Sequence, residues 1–240
     1  MSLSEIFNRD NPVPEISYDR LRPLLRSVFA WMLFGLLITT TTAILTSTTP
    51  ALLELRTIPA IAIGSFFAQI ALVFIISLAM PRMSSRMAAA LFLIYSALMG
   101  FSLSMIFFYF DLGSLIAAFA TATILFGVMA MFGFTTDINL MQYRSLFLVA
   151  LIGLLVALVV NILLGSRLFD FILSILGVII FMGLTAYDMQ NMKRLGAMIE
   201  AEGGSSELVA KYAIYGALAL YLDFINIFLF LLRIMGGGRD

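Results

Sequence analysis

The chain of 240 residues contains no cysteine and no histidine. The absence of cysteine excludes disulfides, thiolate metal sites and cysteine nucleophiles. The absence of histidine excludes His-based catalytic triads, HExxH zinc sites and haem held by an axial histidine. Because these common catalytic and metal-binding side chains are missing, we expect the protein not to be an enzyme and to carry no cofactor.

Charged residues are also scarce. They make up 12% of the chain, whereas 62% of its residues are hydrophobic. A soluble globular domain has roughly a quarter of its residues charged. The 14 basic and 14 acidic residues balance, so no excess charge indicates a nucleic-acid partner. This composition predicts an integral membrane protein whose main partner is the lipid bilayer.

The pattern of apolar stretches predicts an all-α fold with seven transmembrane helices. A helix needs about 20 mainly apolar residues to cross the hydrocarbon layer. Seven stretches meet this requirement: 27–48, 58–80, 88–110, 112–134, 146–165, 170–191 and 210–234. We expect a cytosolic N-terminal arm at 1–26, a transmembrane domain at 27–235 and a short tail at 236–240.

The positive charges predict how the chain crosses the membrane. With the arm and every second loop counted together, ten Lys and Arg residues lie on one side and four on the other. The side richer in Lys and Arg is normally cytosolic. We therefore expect a cytosolic N-terminus and, after seven spans, an external C-terminus, although a re-entrant last helix would put both ends inside. The polar stretch Met192 to Lys211 reads as a mobile cytosolic loop.

Asp223 is the most expensive residue in the chain to place in a membrane. It lies near the middle of the last predicted span, where an ionised side chain costs at least about 2.5–3.5 kcal/mol. Helical spacing puts it on one stripe of the last helix, together with Tyr212, Gly216, Ala219 and Asn226. That stripe faces protein or water, and the helix suits the centre of a bundle. The alternative is an acid that is merely protonated or hydrogen-bonded in the core.

Asp188, near the cytosolic end of the sixth span, can form a pair with Asp223. Two carboxylates within hydrogen-bond reach do not easily both ionise, so they tend to share a proton and can sense pH. If the intervening loop began near residue 192, the two residues would be offset by roughly 10 Å along the membrane normal. Tilt or a kink would have to close that gap. Alternatively, Asp188 is an interfacial carboxylate close to Lys193 and Arg194.

Four further polar residues are candidates for the same region. Arg82 follows Pro81 at the end of the second span and either pairs with the acids or extends to the lipid headgroups. Gln69, Asn161 and Asn226 are neutral groups within spans. We expect Gln69 and Asn161 to bond between helices rather than to bind a solute.

Three segments carry a resemblance to a known family. They are GLTAYDMQ at 183–190, ALYLDFINIFLFLLR at 219–233 and FLIYSALMGFSLS at 92–104. These segments resemble the Bax inhibitor family, also called the transmembrane Bax inhibitor motif family, and its bacterial members most of all. The resemblance covers nearly everything after the N-terminal arm. Residue 69 is a departure, since some relatives carry a glutamate in the second span.

The resemblance implies a fold in which six helices surround the last one. It also implies a calcium leak channel gated by pH, with Asp188 and Asp223 as paired sensor and Arg82 as an arginine latch. Calcium would then be the transported ion, and the two aspartates would bind it transiently. The membrane would be the bacterial inner membrane. Protonation discharges the carboxylates and also releases an arginine clamp, so the direction of gating stays open.

Two other functions compete with the channel. One is a regulatory membrane protein that binds a membrane protease or stress machinery and transports no ions. The other is an intramembrane aspartyl protease, which two aspartates on adjacent helices superficially suggest. The chain has no Gly-x-Gly-Asp motif to accompany Tyr187 and Asp188, and this argues against the protease.

Overall fold

The computed structural model describes residues 18–236. This part of the chain is helical and contains no strand. Short 3₁₀ turns at Met80–Arg82 and Leu140–Tyr143 precede two of the helices. The α-helices of the described residues are α1 Tyr18–Thr48, α2 Pro50–Thr57, α3 Pro59–Ala79, α4 Ser85–Leu103, α5 Ile106–Tyr109, α6 Leu112–Thr135, α7 Arg144–Leu164, α8 Arg167–Ala201 and α9 Ser206–Gly236.

Seven helical segments within residues 18–236 are long and apolar enough to cross a membrane. They carry many exposed large apolar side chains, for example Phe67, Ile162 and Leu163, which suit contact with lipid. The prediction of an all-helical fold with seven spans is confirmed. The segments are Asp19–Thr48, Pro59–Arg82, Ser85–Tyr109, Leu112–Thr135, Leu140–Leu164, Arg167–Ala201 and Ser206–Gly236.

The first helix begins earlier than the predicted span. Helix α1 starts at Tyr18, so residues 18–26 of the predicted arm are helical. Leu21, Leu24 and Val28 recur at helical spacing and are almost completely buried, which explains why the helix extends beyond the continuous apolar run. The rest of the predicted arm, 1–17, and residues 237–240 of the predicted tail lie outside the described residues.

The prediction of a loop from Met192 to Lys211 is wrong. Helix α8 continues to Ala201 and α9 begins at Ser206, so only residues 202–205 connect them. The helix continues because this segment is amphipathic: its apolar residues lie on one helical face, which is buried. The buried members of that face are Met192, Leu195, Met198 and Ile199. In the connection, Gly203 and Gly204 adopt positive φ angles of 91° and 64°, a conformation that glycine adopts without steric cost.

Several helix ends follow from local chemistry. Proline occupies the start of α2 and α3, where its missing N–H costs nothing. Asp111 caps α6 and accepts hydrogen bonds from the Ser114 hydroxyl at 2.6 Å and from the Ser114 N–H at 3.0 Å. These bonds hold the pKa of Asp111 below its usual value. The side chain thereby satisfies one of the free N–H groups at the helix N-terminus, and α6 begins directly after the third span.

The described residues form two compact units, which are considered separately. The first comprises 18–110 with 202–221. In it α1 and α4 cross closely, since a Cβ atom on Gly100 would overlap the carbonyl oxygen of Thr39. The Thr39 hydroxyl lies 2.7 Å from the Tyr221 hydroxyl and 2.9 Å from the Ser96 carbonyl oxygen. The Phe92 and Tyr95 rings pack edge-on against Tyr221.

The second unit comprises 111–201 with 222–236. Here α6 and α8 come into backbone contact, because a Cβ atom on Gly133 would overlap the main chain of Ala186. Helices α8 and α9 run antiparallel from their short connection. Phe230 of α9 packs against α8, with its ring 6.0 Å from that of Phe181 and within 2.6 Å of a Cβ atom built on Gly177.

Helix α9 is the most buried of the seven candidate spans among the described residues. In its most apolar window 61% of the residues are buried, against at most 33% in any other. This burial agrees with the expectation of an internal last helix. The arrangement of six helices around it stays a prediction.

The close crossing of α6 and α8 predicts that Gly133→Ala destabilises the protein. We expect a loss of about 1–3 kcal/mol, typical of overpacking, although alanine is the better helix former. The matched control is Gly127→Ala on the same helix, because a Cβ atom there meets nothing within 4 Å. Thermal unfolding in detergent measures both variants, and equal midpoints for them would contradict the crossing.

Candidate functional site

The second unit contains an acidic pair on the helices α8 and α9. The carboxyl groups of Asp188 and Asp223 lie within hydrogen-bond reach of each other. Asp223 is only 4% exposed, and Asp188 is half-buried. Sequence reasoning expected an offset between these residues that tilt or a kink would close. The extension of α8 to Ala201 removes most of it, because the connection at 202–205 lies near the midpoint between the two aspartates.

Thr185 lies one helical turn before Asp188 and adds a third polar side chain beside the pair. Its hydroxyl donates to the Phe181 carbonyl oxygen at 2.8 Å and lies within hydrogen-bond reach of Asp223. A hydroxyl has one proton to donate and can also accept. Thr185 can therefore donate to an ionised Asp223, or donate to Phe181 and accept from a protonated Asp223. It fits either protonation state of the pair.

The Oδ2 atom of Asp223 is buried, and no N–H group of the described residues donates a hydrogen bond to it. A buried carboxylate oxygen without such a donor is costly to ionise. The polar side chains beside the Asp223 carboxyl group in the second unit are Asp188 and Thr185.

Gln190 fixes the helix that carries Asp188. It is 1% exposed, and its side-chain nitrogen donates to the Ile138 carbonyl oxygen at 2.8 Å. Its side-chain oxygen accepts from the Leu140 N–H, also at 2.8 Å. One amide thus holds both sides of Asn139 in the turn between α6 and α7. Sequence reasoning missed this role, although Gln190 ends the GLTAYDMQ segment and is a polar residue on a buried face.

A second polar contact joins α8 and α9 farther from their connection. The Arg233 guanidinium lies 3.7 Å from the Asp170 carboxylate. The Asn161 amide nitrogen is 3.5 Å from the same carboxylate, at the outer limit for a hydrogen bond. This contact of Asn161 runs between α7 and α8.

The model of the family described as "Inhibitor of apoptosis-promoting Bax1" matches residues 21–240. The match includes the acidic pair, both helices that carry it, and all seven candidate spans apart from the first residues of α1. The chain belongs to the Bax inhibitor family.

Individual relatives cover almost the whole chain. "Inner membrane protein YbhL" of Escherichia coli K12 is 40% identical over 220 residues, 91% of this chain and 93% of the relative. An uncharacterized protein of Deinococcus radiodurans is 40% identical over 92% of this chain and 93% of its own length. One of Borreliella burgdorferi is 41% identical over 90% and 92%. Membership of the family and the seven apolar helices together identify a membrane protein in contact with lipid.

Arg82, which the family resemblance marks as a latch, lies in the first unit. It ends the 3₁₀ turn Met80–Arg82 that follows α3, and its side chain is exposed. An exposed guanidinium at a helix end is free to extend toward headgroups or toward an acid. Its role as a latch stays a prediction.

The remaining candidates bond to the protein. Gln69, 8% exposed, donates to the Ser102 hydroxyl at 2.7 Å and thus holds α3 to α4. Gln69 therefore bonds between helices. Asn226 donates at 2.8 Å to the Leu222 carbonyl oxygen of its own helix, and it is half-buried.

The two bonds of Gln190 predict that Gln190→Met destabilises the protein. Methionine has similar length but leaves the buried Leu140 N–H unpaired, at a cost of about 1–3 kcal/mol. The matched control is Gln142→Met, because Gln142 is exposed. Chemical or thermal unfolding in detergent compares the variants. A Gln190→Met protein as stable as the control would exclude the role of Gln190 in holding the turn.

Proposed function

We propose that the protein is a pH-sensitive cation leak channel, with Asp188 and Asp223 as its sensor and calcium as its ion. The observation that carries the proposal is the close approach of the two carboxyl groups on two apolar helices. Ionisable side chains at such positions are expensive and mark ion or proton pathways by default. Calcium is the ion that the resemblance to the Bax inhibitor family implies.

The chemistry of the pair makes it sensitive to protons. A hydrogen bond between two carboxyl groups requires a proton on one of them. When that proton leaves, two like charges face each other and repel. The pair then either separates or attracts a cation, so its protonation is coupled to its geometry.

The same oxygens suit a calcium ion that passes rather than stays. Calcium prefers six to eight oxygen ligands. Asp188, Asp223 and Thr185 supply a few of them, and the described residues contain no group of three or more acidic side chains that could hold a metal. Water would have to complete the coordination, which fits a transient site in a pathway. We therefore propose no resident cofactor.

Arg82 fits this scheme as a latch, an exposed cation that would compete with calcium for the charge of the aspartates. Protonation of the pair weakens attraction for calcium and for an arginine alike. The two effects oppose each other, so the sign of the pH dependence must be measured.

We propose that the chain resides in the bacterial inner membrane, the location that the name of the relative YbhL gives for that protein. The ten-to-four distribution of Lys and Arg supports a cytosolic N-terminus. Seven spans then put the C-terminus outside. A catalytic function is not part of this proposal.

The channel proposal predicts that Asp223→Asn and Asp188→Asn alter calcium flux. In proteoliposomes between about pH 5 and 8, we expect each variant to change the rate at least about tenfold, the effect of 1.4 kcal/mol, and to flatten its pH dependence. Asp111→Asn is the matched control, since it makes the same chemical change at an exposed helix cap.

The alternative function gives a different outcome. Flux that is absent, or equal in wild type and both pair variants, would exclude the channel. Co-purification with a membrane protease, undiminished in Asp188→Asn and Asp223→Asn, would then favour a regulatory protein that transports no ions.

A further inference from the structure

The turn that carries Arg82 is tied to the start of the last helix. Within the first unit, the Lys211 ammonium group donates to the Pro81 carbonyl oxygen at 2.9 Å. The Glu207 carboxylate accepts from the Ser85 N–H and from the Ser85 hydroxyl, both at 2.8 Å. These three bonds attach the linker between α3 and α4 to the first two turns of α9. We call Glu207 and Lys211 the linker clamp.

Lys211 is an unusual lysine. It is only 8% exposed, whereas lysine is almost never buried without a partner. Its ammonium group lies 5.8 Å from the Tyr212 ring centre, a distance within the range of cation–π attraction. Its hydrogen bond goes to a main-chain carbonyl of the linker. This hydrogen bond offsets part of the free-energy cost of burying the charge, and it also holds the backbone of the linker.

Glu207 fixes the other end of the linker. Ser84 and Ser85 begin α4, and the Ser84 hydroxyl accepts from the Met87 N–H at 3.3 Å. Glu207 satisfies the free N–H of Ser85, which the helix itself leaves without a partner. Its exposed carboxylate also lies in the field of two cations, Arg86 and Lys211.

Arg82 lies between these two attachment points. The Pro81 carbonyl belongs to the peptide bond that precedes Arg82, and Ser85 follows three residues later. With the main chain held on both sides, the range of directions open to the Arg82 side chain is narrowed. Holding a functional group by its supporting residues is how proteins achieve precise sites.

We propose that Lys211 and Glu207 are positioning residues for Arg82, an inference that rests on the proposed function of Arg82 as latch. Both residues of the clamp lie in the first two turns of α9. If the clamp had only a structural role, its removal and the removal of Arg82 would affect calcium flux independently. The two roles are separable by a double-variant experiment.

The first experiment measures calcium flux in proteoliposomes over about pH 5 to 8. Lys211→Met removes the donor, Lys211→Arg restores one, and Lys193→Met is the matched control at the only other lysine. We expect the pH profile of Lys211→Met to match that of Arg82→Ala, with rescue in Lys211→Arg and no change in Lys193→Met. If Lys211 acts through Arg82, adding Lys211→Met to Arg82→Ala should change the calcium flux rate by less than about twofold. That factor is the usual scatter in tests of additivity.

The second experiment does not depend on flux. Because the chain lacks cysteine, Arg82→Cys introduces a unique site for a spin label. We expect the label to become more mobile when Lys211→Met or Glu207→Ala is added, and to be unaffected by Lys193→Met. Unchanged mobility with folded protein would overturn the clamp.

The two experiments separate the possible failures. Absent flux in the wild type, together with increased label mobility, would overturn the latch proposal and leave the clamp as a structural contact. Normal flux with additive effects of Lys211→Met and Arg82→Ala would overturn the positioning role alone.

Discussion

The second unit depends on the close approach of two carboxyl groups, those of Asp188 and Asp223, on two apolar helices. Two such groups do not easily both ionise. Asp188 and Asp223 meet only because α8 and α9 form an antiparallel hairpin with a four-residue connection. Gln190 anchors α8 to the neighbouring turn, and the glycine contact of α6 brings backbone against backbone beside Thr185. A small change in helix register would separate the carboxyls, since one residue rotates a side chain by about 100°.

The number of spans was predictable because crossing a membrane is a property of sequence windows. The ends of α1 and α8 were not recovered by the same reasoning. Hydropathy measures how well a segment suits lipid, whereas both helices continue as amphipathic helices beyond their apolar runs. Leu21, Leu24 and Val28 at one end of α1, and Leu195 and Met198 in α8, carried a periodic signal that could have been used.

The acidic pair could be proposed from sequence because a mid-span aspartate is rare and costly. Its supporting contacts could not. The bonds of Gln190 to residues 138 and 140, and those of the linker clamp to Pro81 and Ser85, join segments far apart in the sequence. Their existence depends on helix packing, which a single sequence does not specify. The same limit applies to the arrangement around α9 and to the latch role of Arg82, which remain predictions.

The central claim is that residues 188 and 223 face each other, and cysteine cross-linking tests it most directly. The chain has no native cysteine, so the double variant Asp188→Cys with Asp223→Cys offers one possible disulfide within the molecule. A protease site engineered into 202–205 allows the chain to be cut between the two cysteines. We predict that the two fragments then run as one band on a denaturing gel until the disulfide is reduced. Gly177→Cys with Phe230→Cys serves as a positive control and Ile179→Cys with Asp223→Cys as a negative one. Separation of the 188–223 fragments without reduction, while the positive control stays joined, would contradict the account.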